Sequence, residues 1–217
     1  MIKSIIFDYD GVIAESNAIK TQAMSLLFKG TQKDIQDKVV EYHLNNEGIS
    51  RKEKFRYYYK ELLKKNFSEQ DINELSDKFS NLVVSKVIKS KKVTGVNAFL
   101  KKYYKKLNLF VSTGTPSEEI IKILEATNMK IFFKDCFGSP EKKGEHIKTI
   151  LKRLDCKRDE IIFVGDSRTD LEAANSHDLR FILRAHPGNK DLAKIKHMIT
   201  INDFHDLDIL LKKHYSL

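Results

Sequence analysis

The sequence predicts an α/β protein: a doubly wound parallel-sheet core interrupted near its start by an all-helical insert. Two observations carry that prediction. Short apolar runs of strand type, Ile5-Ile6-Phe7, Leu109-Phe110-Val111 and Ile161-Ile162-Phe163-Val164, each end in a polar cluster, and after the second and third a helical pattern follows at once. The stretch 16–90, by contrast, reads as helix after helix with no strand pattern. Strand-then-helix units joined by right-handed crossovers give a parallel sheet covered by helices on both faces.

The first strand, 4–7, runs into Asp8-Tyr9-Asp10-Gly11-Val12. Two carboxylates two residues apart leave a strand end on the same side. Crowded anionic oxygens repel unless a hard cation sits between them, and carboxylate and carbonyl oxygens suit Mg²⁺. Gly11 allows the sharp turn that a loop closing on a ligand needs.

The insert carries four apolar faces: Ala23, Leu26 and Leu27; Ile35, Val39 and Val40; Phe55, Tyr58, Tyr59, Leu62 and Leu63; and Ile72, Leu75, Phe79, Leu82, Val83 and Val87. Between the second and third, Gly48 ends a helix and Ser50 can cap the next. Arg51 and Lys54 then fall on neighbouring positions of its first turn. They are either solvated charges or a grip on an anionic substrate. The joints of the insert are expected at 14–17 and 91–94.

A helix beginning near Val96, with Phe99, Leu100 and Tyr103 inward, leads to a strand at 107–111. That strand ends in Ser112-Thr113-Gly114-Thr115-Pro116 before a helix opening near 117–119. Hydroxyls with free backbone amides make a phosphate seat. Part of 131–137 is the next strand. Gly138-Ser139-Pro140-Glu141-Lys142-Lys143 follows it and opens a helix carrying Ile147, Ile150 and Leu151, so that a lysine of its first turn reaches the shared anionic site. Strand 161–164 ends in Gly165-Asp166-Ser167-Arg168-Thr169-Asp170, a second acidic cluster. Strands at 181–184 and 198–201 and a final helix over 203–214 complete the core. In an open α/β sheet these strand ends share one crevice, where ligands bind.

Composition bounds the function. The 217 residues, 41% hydrophobic and 32% charged, suffice for one core with an inserted subdomain. No run approaches membrane-spanning length, and the apolar start runs straight into Asp8, so neither a signal segment nor a membrane partner is expected and the location is read as cytoplasmic. Cys136 and Cys156 lack metal-ligand spacing, and a disulfide is not expected there. The net charge of +9 raises nucleic-acid binding as a rival. The lysines are scattered and no nucleic-acid signature accompanies them, so a solvated surface that also draws anionic metabolites is the expectation. The histidines show no ligand spacing and are expected at the surface.

The four motifs in this order resemble the haloacid dehalogenase (HAD) superfamily, from Ile5 to about Ala185. The resemblance implies a Rossmann-like core formed by 1–15 and 91–217, with 16–90 as a helical cap placed after the first motif. It implies Asp8 as nucleophile and Asp10 as general acid and base, which requires a raised pKa at Asp10. Thr113 or Ser112 would bind the phosphoryl oxygens beside Gly114, and Lys143, rather than Lys142, would steady nucleophile and phosphate. Asp166 would complete a Mg²⁺ site with Asp8 and the Asp10 carbonyl, supported by Asp170. Arg51 and Lys54 would meet the substrate from the cap. The implied activity is Mg²⁺-dependent hydrolysis of a small phosphorylated metabolite (phosphoglycolate, sugar phosphate or nucleotide) through an aspartyl-phosphate. A phosphomutase of the same family, or a non-catalytic basic binding protein on the same fold, is the alternative. Asp10 sets the chain apart from the dehalogenase branch, which the resemblance implies lacks an acid there. The oligomeric state has no signature.

Overall fold

A computed structural model describes residues 1–215. Among the described residues six strands form one parallel sheet: β1 (Ser4–Phe7), β2 (Asn108–Pro116), β3 (Asp135–Ser139), β4 (Ile161–Gly165), β5 (Arg180–Arg184) and β6 (Thr200–Ile201). Their spatial order is β3-β2-β1-β4-β5-β6, so the chain reverses its direction of winding at β1. That reversal opens a crevice at the carboxyl end of β1, where an α/β sheet binds its ligand. β1 pairs in register with β2 (Ile5 with Leu109, Phe7 with Val111) and with β4 (Ile5 with Ile162, Phe7 with Val164).

Strand alternation sorts the core. Ile5, Phe7, Leu109, Val111, Ile162 and Val164 face one side, and Ile6, Phe110, Ile161 and Phe163 the other. Helices α1 (Asn17–Leu27), α2 (Lys33–Asn45), α3 (Arg51–Tyr57) and α4 (Glu69–Lys89) lie in the chain between β1 and β2, followed by α5 (Val96–Tyr103). After β2 come α6 (Ser117–Ala126), α7 (Lys143–Arg153), α8 (Arg168–Asn175), α9 (Lys190–Ala193) and α10 (Phe204–Tyr215). Helices α5, α6 and α10 cover the first side through Phe99, Ile120, Ile123 and Phe204, while α7 and α8 cover the second through Ile147, Ile150 and Ala174. Each buried Ile or Phe contributes about 1.5–3 kcal/mol. Both layers are needed, because a parallel strand such as β1 has no face for water.

Local chemistry sets the helix starts. The Ser50 hydroxyl accepts from the Glu53 backbone N–H at 3.3 Å, and Ser68 with Asp71 and Ser167 with Asp170 form reciprocal capping boxes. Two joints tie the helical insert to the sheet side by side. Glu15 N–H donates to the Lys91 carbonyl at 2.9 Å and Val93 N–H to the Ile13 carbonyl at 3.0 Å.

Some elements differ from the sequence expectation. The strand expected at 107–111 extends to Pro116, because Ser112 pairs with Phe137 and Pro116 with Ser139 across an irregularity. In the 131–137 segment, Lys130–Phe132 is a 3₁₀ turn that leaves Ile131 exposed, and the strand begins at Asp135. On α1, Met24 is buried with Ala23 while Leu26 is 50% exposed. The third apolar face continues from α3 into a π-helical turn, Tyr58–Leu62, with Phe55 and Tyr58 buried.

Candidate active site

The carboxyl ends of β1, β2 and β4 converge on one cavity. Asp8 stands at the end of β1, buried, and one of its oxygens accepts from the Tyr9 N–H at 2.7 Å. The other meets Lys143 Nζ at 3.0 Å, and the same ammonium reaches Asp170 Oδ1 at 2.5 Å. Lys143 is the first residue of α7, while Lys142 points to Glu53 on the surface at 3.5 Å. Burial opposes charge on Lys143, but Asp170 and Asp8 outweigh it and hold its pKa above the ordinary lysine value. Asp170 Oδ2 accepts from Ser167 Oγ at 2.6 Å and from the Ser167 N–H at 3.1 Å, which fixes it at the start of α8.

Asp8, Asp166 and Asp170 bring carboxylate oxygens within 4.8 Å of one another. Asp166 Oδ2 accepts from Asn17 Nδ2 at 2.8 Å and contacts His186 Nε2 at 3.0 Å. Burial raises the pKa of both Asp8 and Asp166. Gly11 has φ +74°, and a Cβ there would lie 1.9 Å from Asp166 Oδ2, so the turn after Asp10 admits only glycine.

Asp10 departs from the expectation. Burial by itself would raise its pKa, but Lys20 forms a short ion pair with it, and Ser16 Oγ at 2.6 Å and Thr115 Oγ1 at 3.2 Å donate to it; the net shift is downward. A dry site alone predicts a raised pKa, whereas Lys20, ten residues beyond Asp10 and within α1, carries no local signal in the sequence. The general-acid requirement is therefore unmet while Lys20 holds the carboxylate.

The hydroxyls separate cleanly. Thr113 and Gly114 line the cavity, as do Asp8, Asp10 and Asp166. Ser112 faces the other way, as strand alternation requires, and its hydroxyl contacts His146 Nδ1 at 2.9 Å. It does not reach the cavity.

The insert closes the cavity from above with Met24, His43, Glu47, Gly48, Ile49, Arg51, Lys54 and Phe79. Gly48 (φ +86°) rests on the core: a Cβ there would lie 2.1 Å from Thr169 Oγ1 and 2.8 Å from Ser167 Oγ. The Glu47 carbonyl accepts from Thr169 Oγ1 at 2.9 Å. Burial, helped by Asp166, pushes the Glu47 carboxyl up to about 7. Arg51 and Lys54 are both buried, not solvated. Arg51 makes a two-pronged pair with Glu119 of α6 at 2.6 and 2.9 Å, so its charge is matched before any substrate arrives. The cavity offers about 60 Å³, room for a few waters or one small anionic group.

Asn17, Lys20, His43, Glu47, Glu119 and His186 belong to the site without a signal in the sequence. His43 and His146 are buried and His186 is half-buried, against the expectation that the histidines lie at the surface.

This fold and site define a hydrolase class with carboxylates at the switch point of an α/β sheet. The chain belongs to the haloacid dehalogenase-like hydrolase family, whose model matches residues 5–183. No curated protein matches it by sequence. Similar solved structures include a predicted phosphoglycolate phosphatase from Haemophilus somnus 129PT (19% identity, 96% of this chain and 97% of that one, TM-score 0.76). CbbY from Rhodobacter sphaeroides in complex with phosphate is also similar (18%, 95% and 96%, TM-score 0.76). YfnB from Bacillus subtilis, bound to magnesium, is similar over 97% of this chain and 99% of its own at 20% identity, TM-score 0.69. At these identities the likeness establishes the fold.

Proposed function

We propose that the protein is a Mg²⁺-dependent phosphatase acting on a small phosphorylated metabolite through an aspartyl-phosphate. The observation that carries this reading is the buried Asp8 carboxylate, paired with Lys143 on the floor of a cavity edged by Thr113 and Gly114. Asp8 attacks phosphorus as the bond to the leaving oxygen breaks, and Asp10 gives that oxygen its proton. Asp10 then takes a proton from the water that attacks the aspartyl-phosphate, releasing phosphate and restoring Asp8. The Thr113 hydroxyl and Gly114 amide hold phosphoryl oxygens, and Lys143 offsets their charge. For the first step Asp10 has to leave Lys20 and carry a proton.

The donor set fits a divalent cation. Asp8, Asp10 and Asp170 pair with two lysines, Lys143 and Lys20, and Asp166 meets His186 Nε2 and no lysine, so four carboxylates face two ammonium groups among oxygen ligands. Asp8, Asp166 and the Asp10 carbonyl would hold Mg²⁺, with Asp170 in support; bound there, it polarises the phosphoryl oxygens. Residues 16–90 act as a cap over the core of 1–15 and 91–217, excluding water by closure about the paired joints. Among the described residues no helix is long and apolar enough to cross a membrane, and we place the enzyme in the cytoplasm. Phosphoglycolate, sugar phosphates and nucleotides are the candidate classes.

Phosphate release from a panel of phosphorylated metabolites, with and without Mg²⁺, tests the reading. Release that requires Mg²⁺ is expected. Transfer of the phosphoryl group to a sugar hydroxyl, without free phosphate, identifies a phosphomutase instead; no turnover of any ester leaves a binding protein.

A further inference from the structure

Four lysine or arginine side chains are buried among the described residues, and three hold a carboxylate: Arg51 with Glu119, Lys143 with Asp8 and Asp170, and Arg184 with Glu15. Lys54 is the exception. It is 3% exposed and lines the same cavity as Asp8, yet no carboxylate oxygen lies within 4.0 Å of its Nζ. Its partners are His43 Nδ1 at 3.1 Å and the His43 carbonyl at 3.3 Å. Burial, and then Lys54, push the His43 pKa down to about 2, so the ring is neutral, and its Nδ1 accepts whenever Lys54 is an ammonium. Burial pulls the Lys54 pKa down to about 7, with Glu47 the largest opposing influence, so the buried amine holds its proton only weakly, and an anion entering beside it stabilises the charged form. Met24, Ile49 and Phe79 line the cavity beside Asp10, Lys20 and Glu47, and the burial of Lys54 strengthens such an attraction.

We infer that Lys54, held from α2 by His43, seats a second anionic group on the leaving part of the substrate. The inference rests on the phosphatase reading and narrows it. Preferred substrates carry a carboxylate or a second phosphate near the phosphoryl group, and the small cavity favours short ones. Arg51 is not the seat, because Glu119 already matches its charge.

The test compares kcat/KM within matched pairs, with Mg²⁺ present: 2-phosphoglycolate against 2-hydroxyethyl phosphate, and ethylene glycol bisphosphate against 2-hydroxyethyl phosphate. Wild type should prefer the charged member of at least one pair by roughly 10- to 1000-fold. A preference in the first pair identifies a carboxylate, in the second a phosphate. In Lys54→Met the ratio should fall at least tenfold, whatever factor both substrates lose together, and Lys54→Arg should retain most of it. Lys54→Gln replaces the Met variant if that one does not fold. A wild-type ratio below threefold in both pairs, or a ratio unchanged in Lys54→Met, overturns the inference. Should no ester turn over, the phosphatase reading fails by itself. The seat is then judged by calorimetric binding of 2-phosphoglycolate and 2-hydroxyethyl phosphate to wild type and Lys54→Met, on the same two criteria.

Discussion

At the scale of single residues, Asp8 and Asp10 stand two positions apart and face different partners, Lys143 and Lys20. Replacing Asp8 by Asn keeps volume but removes the proposed nucleophile, so turnover should fall roughly 10³-fold or more while the melting temperature stays within a few degrees. A tenth of wild-type activity remaining would refute the assignment. A second expectation separates metal from proton chemistry. The Asp166 carboxylate lies in the oxygen cluster with Asp8 and Asp170, whereas the Asp10 carboxylate is turned to Lys20, Ser16 and Thr115. Asp166→Asn should therefore weaken Mg²⁺ binding more than Asp10→Asn, as calorimetric titration of both would show; equal losses would count against the division. Asp8, Asp10, Lys143 and Asp166 were legible because each follows a strand within a few residues, and a strand end fixes where its neighbours point. Lys20 was not. It is one of 39 lysines and arginines, and its meeting with Asp10 depends on where the packing of α1 against α2 and α4 sets its side chain.

At the scale of elements, two buried contacts tie segments together. Arg51 of α3 and Glu119 of α6 form a two-pronged pair, with Ser80 of α4 donating to the same carboxylate at 2.7 Å and the guanidinium 4.6 Å over the Phe79 ring. Arg51→Met strands a buried carboxylate and should cost about 3–5 kcal/mol in urea unfolding. Adding Glu119→Gln should recover about 1–3 kcal/mol, and strict additivity of the two changes would show that the pair is not coupled. The other contact is His146 of α7, whose Nδ1 accepts from Ser112 Oγ of β2 while Nε2 donates to the Gly138 carbonyl of β3 at 3.2 Å. Burial pushes its pKa down to about 4, against an unfolded value near 6.5. The native state then binds fewer protons, so this contribution is complete above pH 6.5 and is lost as pH falls toward 4. The stability difference between wild type and His146→Gln should shrink by a few kcal/mol across that window; a constant difference would mean the ring does not titrate so low. The α helices here were readable from apolar spacing and serine caps. The extension of β2 to Pro116 was not, since Ser112 to Thr115 are polar and become strand only by pairing with β3.

At the scale of the whole molecule, the insert meets the core through backbone as much as through side chains. Periodicity alone revealed a helical segment between the first two strands, but nothing local to Gly48 or Gly114 announces that they touch; that contact is a product of the closed arrangement. A Cβ on Gly114 would stand 2.6 Å from the Gly48 carbonyl oxygen and 3.1 Å from that of Ile49. The backbone of Gly114 lies outside the left-handed region, so alanine suits its own conformation and the clash is only with the insert. Gly114→Ala should therefore leave the core folded, with a melting temperature close to wild type, and hold the insert a few tenths of an ångström or more from the Thr113 strand end. If closure excludes water and completes the contacts to the leaving group, as proposed, kcat/KM should fall roughly 10- to 100-fold, most for substrates that reach Lys54. Kinetics on 2-phosphoglycolate beside thermal melting decide it. Undiminished kcat/KM would show that catalysis does not need the approach of Gly48 to Gly114, and a large drop in melting temperature would place the damage in the fold instead of in closure.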